Sequence, residues 1–171
     1  MNKTLQILAA ALVVLIAFFY VSAKRTQVPY VPLVPTEVSQ TTLTLYAYDA
    51  RRDMDDVGNV LCSSKGLVPI TRTVPTTETP LKDALTLLFA GGLTEDERAR
   101  GLTTEFPLQG VRLESVAIRG DEATIELADP NHASSGGSCR IGILRAQVEA
   151  TAKQFPDITH VRFTPEGVLE P

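Results

Sequence analysis

Hydrophobic positions fall into three regimes along the chain. The first is continuous. From Leu5 to Val21 nothing is charged and only Gln6 is strongly polar, with Lys3 before the run and Lys24 and Arg25 after it. These seventeen residues at helical rise cover about 26 Å, and an extension to Ala23 reaches about 28 Å, close to a bilayer's hydrocarbon thickness. The second regime is a proline rhythm. Pro29, Pro32 and Pro35 recur every third residue within residues 26–42, which favours an extended polyproline-like spacer. The third begins at Leu43, where short periods of two and longer periods of 3.6 residues alternate to the end of the chain.

In that third regime Leu43, Leu45 and Ala47 alternate with Thr44, Tyr46 and Tyr48, which predicts a strand over 43–49. A loop rich in Asp, Gly, Asn and Ser follows, and a second strand is expected over 67–74 before Pro75. Thr79 and Pro80 read as N-cap and first position of a helix that buries Leu81, Ala84, Leu85 and Leu88 and stops at Gly91 and Gly92. Thr94-Glu95-Asp96-Glu97 is a capping-box pattern that opens a short helix ended by Gly101, with its charged residues on an exposed face. Residues 111–119 predict a strand with a bulge near Ser115, because the apolar parity shifts between Leu113 and Val116. Gly120-Asp121 turns it into a return strand carrying Ala123, Ile125 and Leu127 inward. The longest helix of this regime is expected over 139–155, burying Ile141, Leu144, Val148, Ala152 and Phe155. A last strand covers 160–164. This order implies an α+β two-layer sandwich, a mostly antiparallel sheet with two main helices in the order ββαββαβ, preceded by one N-terminal transmembrane helix.

The first run decides the compartment. It is read either as a signal peptide cut after Val21-Ser22-Ala23 or as a retained span. Its length exceeds a typical signal core, and Phe18, Phe19 and Tyr20 crowd the cleavage position, so a retained anchor is favoured. No cysteine follows the run, which argues against lipid modification. Charge is nearly balanced across the run, so orientation rests on Cys62 and Cys139. A cysteine pair suits a disulfide, and disulfides persist outside the reducing cytoplasm. The chain is therefore expected in the cytoplasmic membrane as a single-pass protein, with its C-terminal part extracytoplasmic.

Composition narrows the remainder. About 130 residues beyond the spacer suit one domain. The net charge of −4 leaves no basic footprint for nucleic acid, which is excluded as a partner. The absence of Trp leaves no evident platform for stacking sugars.

Few constellations suggest chemistry. Cys62 and Cys139 are 77 positions apart and are read as a structural disulfide. The alternative is a reactive thiol at Cys139, near a helix start with His132 and Asp129 close in sequence. Residues 53–59 imitate a calcium loop, but Val57 stands where an oxygen ligand belongs and Ser64 where a bidentate Glu belongs, so a solvated acidic loop is the preferred reading. Ser134 to Ser138 could place amides around an anion, but no Walker lysine follows. His132 and His160 lack metal-ligand spacing. Glu105, Glu114 and Glu126 are not paired by anything in the pattern. No catalytic residue, cofactor or metal is assigned.

The ordered motifs resemble the GerMN domain of bacterial sporulation and spore-germination proteins. They are the run from Thr79 to Leu85, the break at Gly91-Gly92-Leu93-Thr94-Glu95, and Gly101-Leu102. Further along come Val111-Arg112-Leu113, Ala123-Thr124-Ile125, Gly136-Gly137-Ser138, Gln147, Gln154-Phe155-Pro156 and Val161-Arg162-Phe163. The resemblance covers residues 43–167 and rests on order and spacing. It implies a module akin to the ring-building domains of envelope assemblies, outside a membrane anchor, that works by binding or assembly and not by catalysis. Family proteins often carry two such domains, and this chain has room for one.

The expected organisation is a membrane segment over 1–25, a Pro-rich linker over 26–42, a GerMN-like domain over 43–167 and a tail over 168–171. Expected partners are the membrane, through residues between Leu5 and Ala23, and other envelope proteins or further copies of the chain. A peptidoglycan- or glycan-binding module is the alternative, and a thiol-dependent enzyme through Cys139 is the remaining rival.

Overall fold

The computed structural model describes residues 3–24 and 38–170, with side chains in the first stretch described at residues 3 and 11–21. The chain divides into two units, Met1–Glu37 and Val38–Pro171. In the first, α1 (Lys3–Lys24) is a continuous helix. Its described apolar side chains, Leu12 to Ile16 and Phe18 to Val21 among them, are all exposed. Residues 5–10 of the span expected from Leu5 to Val21 have side chains outside the described set. Among the described residues no helix is long and apolar enough to cross a membrane. Residues 25–37 of the expected linker also lie outside the described residues.

The second unit contains β1 (Gln40–Tyr48), β2 (Leu67–Pro75), α2 (Pro80–Phe89), α3 (Glu95–Ala99), β3 (Arg112–Arg119), β4 (Glu122–Ala128), α4 (Ser138–Ala152) and β5 (His160–Thr164). The α+β class with antiparallel pairing and several helices is present. The end of the expected linker is not spacer, because residues 40–42 already pair with residues 73–75. The expected tail is not a tail either. Val168 and Leu169 are buried in the core, and Arg145 Nη1 of α4 donates to the Leu169 carbonyl at 3.4 Å.

The strands form two sheets, where the sequence pattern suggested one. β1 and β2 pair antiparallel, and β3-β4-β5 form the other sheet. In that second sheet β3 and β4 are antiparallel, with the register shift between Leu113 and Ser115 that the parity predicted. β4 and β5 are parallel, as expected when a helix provides the crossover between them.

Polar side chains on and just beyond α4 explain the division. In the β1–β2 ladder Thr44, Tyr46 and Tyr48 direct their backbone groups away from β2. Gln154 accepts from the Thr44 amide at 2.7 Å and donates to the Thr44 carbonyl at 2.6 Å. Gln147 donates to the Tyr46 carbonyl at 2.9 Å, and the Thr151 hydroxyl accepts from the Tyr46 amide at 3.3 Å. Thr103 exchanges two backbone bonds with Tyr48, at 2.9 and 2.7 Å. Side chains of a helix and one loop residue thus complete an edge where another strand would otherwise lie.

The apolar parity places the core as predicted. Leu45 and Ala47 of β1, Leu85 and Leu88 of α2, Ile125 and Leu127 of β4, and Leu144 and Val148 of α4 are buried together. Phe89 and Phe106 meet edge to face with centroids 4.8 Å apart. α4 ends at Ala152, three residues before the expected end, yet Phe155 still packs against the core.

Two local expectations need correction. Thr79 makes no side-chain cap to α2; the Thr77 hydroxyl accepts from the Thr79 amide instead, at 3.0 Å. The capping box at Thr94 and Glu97 does form, but Glu97 is buried, not on an exposed face. It accepts two bonds from the Arg72 guanidinium of β2, at 2.8 and 2.7 Å. A bidentate partner on a neighbouring strand outweighs solvation of this carboxylate.

Replacing the buried Gln147 by Ala leaves the partly buried Tyr46 carbonyl without its donor and opens a void. A loss of about 2–4 kcal/mol is expected in urea unfolding, and Gln147→Leu, which restores volume but not the amide, should recover only part of it. Arg72 holds the Glu97 carboxyl down at about 2. The folded value is depressed, so this stability is complete above the unfolded value near 4.5 and is lost as pH falls toward 2. Unfolding between pH 5 and 2 should show an acid limb of about 1–3 kcal/mol that Glu97→Gln largely removes.

Candidate functional site

Two surface features of the unit Val38–Pro171 stand out, a braced loop at one end of α4 and an apolar groove at the other. The loop covers residues 53–63. Its anchor is Asp53, buried at its base, whose carboxylate accepts from the Tyr48 hydroxyl at 2.5 Å, the Ser63 amide at 2.5 Å and the Ser63 hydroxyl at 2.6 Å. Burial pushes this carboxyl up, but the Ser63 and Tyr48 bonds outweigh it and hold it below the usual range. The Tyr48 phenol is pushed up, by burial first and then by Asp53. Asp55 folds back on the same loop, accepting from the amides of Val57 and Asn59 and from the Asn59 side chain.

These bonds use the oxygens that a calcium loop would offer to an ion. Among the described residues no three His, Cys, Asp or Glu side chains gather where a metal could sit.

Cys62 and Cys139 are bonded, with Cα atoms 5.2 Å apart, and no free cysteine remains. The bond ties the loop's end to the second residue of α4. It also corrects the rival reading, because Cys139 has no thiol with which to act as a nucleophile. Cys62 adopts φ +55 and His132 φ +52, a region that non-glycine residues visit rarely.

The segment before α4 is closed on itself. The Asp129 carboxylate accepts from the amides of Ala133 and Ser134 and from the Ser134 hydroxyl. Arg140 donates to the carbonyls of Ser135 and Ala133, so the amides proposed for an anion are partly occupied by Asp129. The remaining candidate carboxylates are scattered. Glu105 pairs with Arg140, Glu114 with Arg112, and Glu126 accepts from Ser115. His160 Nδ1 lies 2.7 Å from the Thr159 hydroxyl and 3.0 Å from Asp121 Oδ2. A nucleophile–His–Asp relay needs the two partners on different ring nitrogens, whereas here one nitrogen faces both.

The groove is the feature that sequence reasoning missed. Pro80 and Leu81 at the start of α2, Val116 and Ile118 of β3, and Phe155 and Ile158 beyond α4 line a hollow of about 670 Å³. Charged residues Glu78, Lys82 and Asp157 also border it. The available signal was Ile118, apolar in sequence yet 55% exposed.

The groove adjoins a strand edge unlike the others. β1's outer edge is closed by α4. β2 carries Pro69 and Pro75; Pro69 lies opposite Tyr46, so its missing amide falls on the outer edge, where prolines blunt pairing. β5 has five residues and is followed by Pro165. β3 has eight residues and no proline, and its outer edge has no strand partner among the described residues.

Residues 44–169 match the model of the Germane family, described as sporulation and spore germination. The chain belongs to this family. The motif order that suggested a GerMN domain is thereby matched. The tandem GerMN domains of the sporulation protein GerM from Bacillus subtilis have a similar fold, with a TM-score of 0.52 at 17% identity over 82% of this chain. The chain covers 44% of that structure, less than half its length. A putative lipoprotein from Clostridium perfringens is more distant, at 18% identity and a TM-score of 0.36 over 75% of this chain and 78% of the other. A search of curated proteins finds no match.

Loop closure over 77 residues sets a ceiling of about 4 kcal/mol on what the disulfide adds by constraining the unfolded chain. Paired Cys62→Ser and Cys139→Ser replacement should cost about 2–4 kcal/mol in urea unfolding, and the two cysteines of the native protein should resist alkylation until a reductant is added.

Proposed function

We propose that this chain is a bacterial envelope protein held at the cytoplasmic membrane through its N-terminal apolar helix, whose Germane domain binds or assembles with other proteins outside the cytoplasm. It acts by contact and catalyses no reaction. Family membership supports a role in the sporulation- and germination-related envelope context. The Cys62–Cys139 bond supports an oxidising compartment, and the apolar run of α1 supports anchoring.

The observation that carries the reading is the β3 edge beside its apolar groove. Among the described residues three of the four sheet edges are closed, blunted or short, and the remaining one adjoins exposed apolar surface. An added strand or an inserted apolar segment gains backbone hydrogen bonds and buried area there together. The engaged or scattered carboxylates, the absence of a free thiol and the single-nitrogen contacts of His160 supply no catalytic set.

The test uses the full chain in its own cells, with a photo-crosslinking residue at Ile118 and a control at the exposed Asp96. Crosslinks at Ile118 to envelope proteins or to further copies, with none at Asp96, are expected. No product at Ile118 would overturn the reading. Protease added to spheroplasts should digest residues 38–171, and full protection would overturn the proposed topology. Co-sedimentation with purified peptidoglycan that survives Ile118→Asp would instead favour the glycan-binding alternative.

A further inference from the structure

Exposed apolar side chains in the unit Val38–Pro171 are concentrated in one place. Met54, Val57, Val60 and Leu61 are exposed, Val57 at 81%. Among the described residues of this unit, the other large exposed hydrophobics are Val38 and Ile118. The four share one loop, and that loop is a braced projection. Met54 and Val60 form an antiparallel bridge across it, and the Leu61 amide donates to the Asp53 carbonyl at 2.8 Å. Asp53 pins the base and the disulfide pins the end. Such bracing means that little ordering entropy is lost when the loop docks.

Its position supplies the partner. The loop is bonded to Cys139, at the start of α4. The apolar groove includes Phe155 and Ile158, just past the end of α4. Fifteen helical residues separate the two by about 22 Å. A convex apolar knob and a concave apolar hollow therefore sit at opposite ends of one helix, and they cannot meet within a molecule. They can meet between molecules.

We infer that the loop 53–62 of one copy seats in the groove between α2 and β3 of the next, forming a head-to-tail contact between copies of this chain. This rests on the binding-or-assembly reading above and names the occupant of its groove. The contact is heterologous: each copy presents a different surface on each side, so copies can be added in series. Charge permits it. Arg52 and Lys65 flank the loop and Asp56 lies at its tip, all exposed. Glu78, Asp157 and Lys82 border the groove. Both surfaces therefore carry both signs, so each charge has an opposite within the facing set. Asp55 is already committed to Asn59. An interface of one loop and one groove is small, so the contact is weak unless the membrane concentrates the copies.

The test uses the full chain in cells, with a photo-crosslinking residue at Leu61. Native chains should give a ladder of dimers and higher products, with crosslinked peptides from residues 116–118 or 155–158 of another copy. Val57→Asp removes the knob and Ile118→Asp removes the hollow, and each alone should lower the dimer yield at least ten-fold. Both positions are exposed, and an intact disulfide in each variant reports folding. Co-expression is decisive. An Ile118→Asp chain carrying the crosslinker keeps its loop, and a Val57→Asp chain keeps its groove, so the pair should form a dimer and nothing larger. A ladder that survives both substitutions, or a co-expressed pair that forms no dimer, overturns the inference. If Leu61 and Ile118 capture a different envelope protein and never this chain, the inference fails while the proposed function stands. If neither captures any protein, both fail.

Discussion

Three side chains on and just beyond α4 hold the outer edge of β1, and much of the architecture follows from that contact. Gln147 and Thr151 lie on the inner face of a helix that would ordinarily bury only apolar residues there, and Gln154 follows two residues past its end. Their partners are backbone groups in the core, where an unmatched amide or carbonyl costs about 1–3 kcal/mol. The helix cannot slide or rotate without breaking several of these bonds together. Its crossover from β4 to β5 ties the same helix to the second sheet. With α2, which packs against both β1 and β3, it relates two sheets that share no strand.

That arrangement governs what the surface offers. An edge completed by side chains is unavailable to another strand, and Pro69 removes a donor from the opposite edge of the same sheet. Pairing capacity is left mainly to β3, which borders the groove. The N-terminal end of α4 receives the disulfide, so the loop carrying Met54 and Val57 is oriented by the helix that closes β1. The proposed docking loop and groove therefore lie near opposite ends of the same helix.

The polar groups that look most chemical serve this placement. Asp53 spends its oxygens on Tyr48 and Ser63, Asp129 on Ala133 and Ser134, and Glu97 on Arg72 and its own helix start. Each is a carboxylate drawn below its usual range because it is saturated with donors. Saturation with donors stabilises the local structure around each of them.

Much of the fold was legible in the linear pattern. Alternation at Leu43, Leu45 and Ala47, the bulge between Leu113 and Ser115, the capping box at Thr94 and the cysteine pair are local or nearly local signals. Period, parity and cap chemistry depend on neighbours in sequence, so the chain declares them directly. The family, too, was legible, because its motifs keep their order. What only tertiary structure decided depends on which residues meet across distance. Gln147 and Thr151 look like an exposed helix face until β1 needs donors and acceptors on that side. Glu97 looks solvated until Arg72 reaches it from another strand, and Val168 and Leu169 look like a tail until α4 covers them. The groove is of the same kind, since Leu81, Ile118 and Phe155 belong to separate elements and form a hollow only once those elements pack. Local chemistry is written in the order of residues, whereas edges and hollows are defined by what is absent beside them in space.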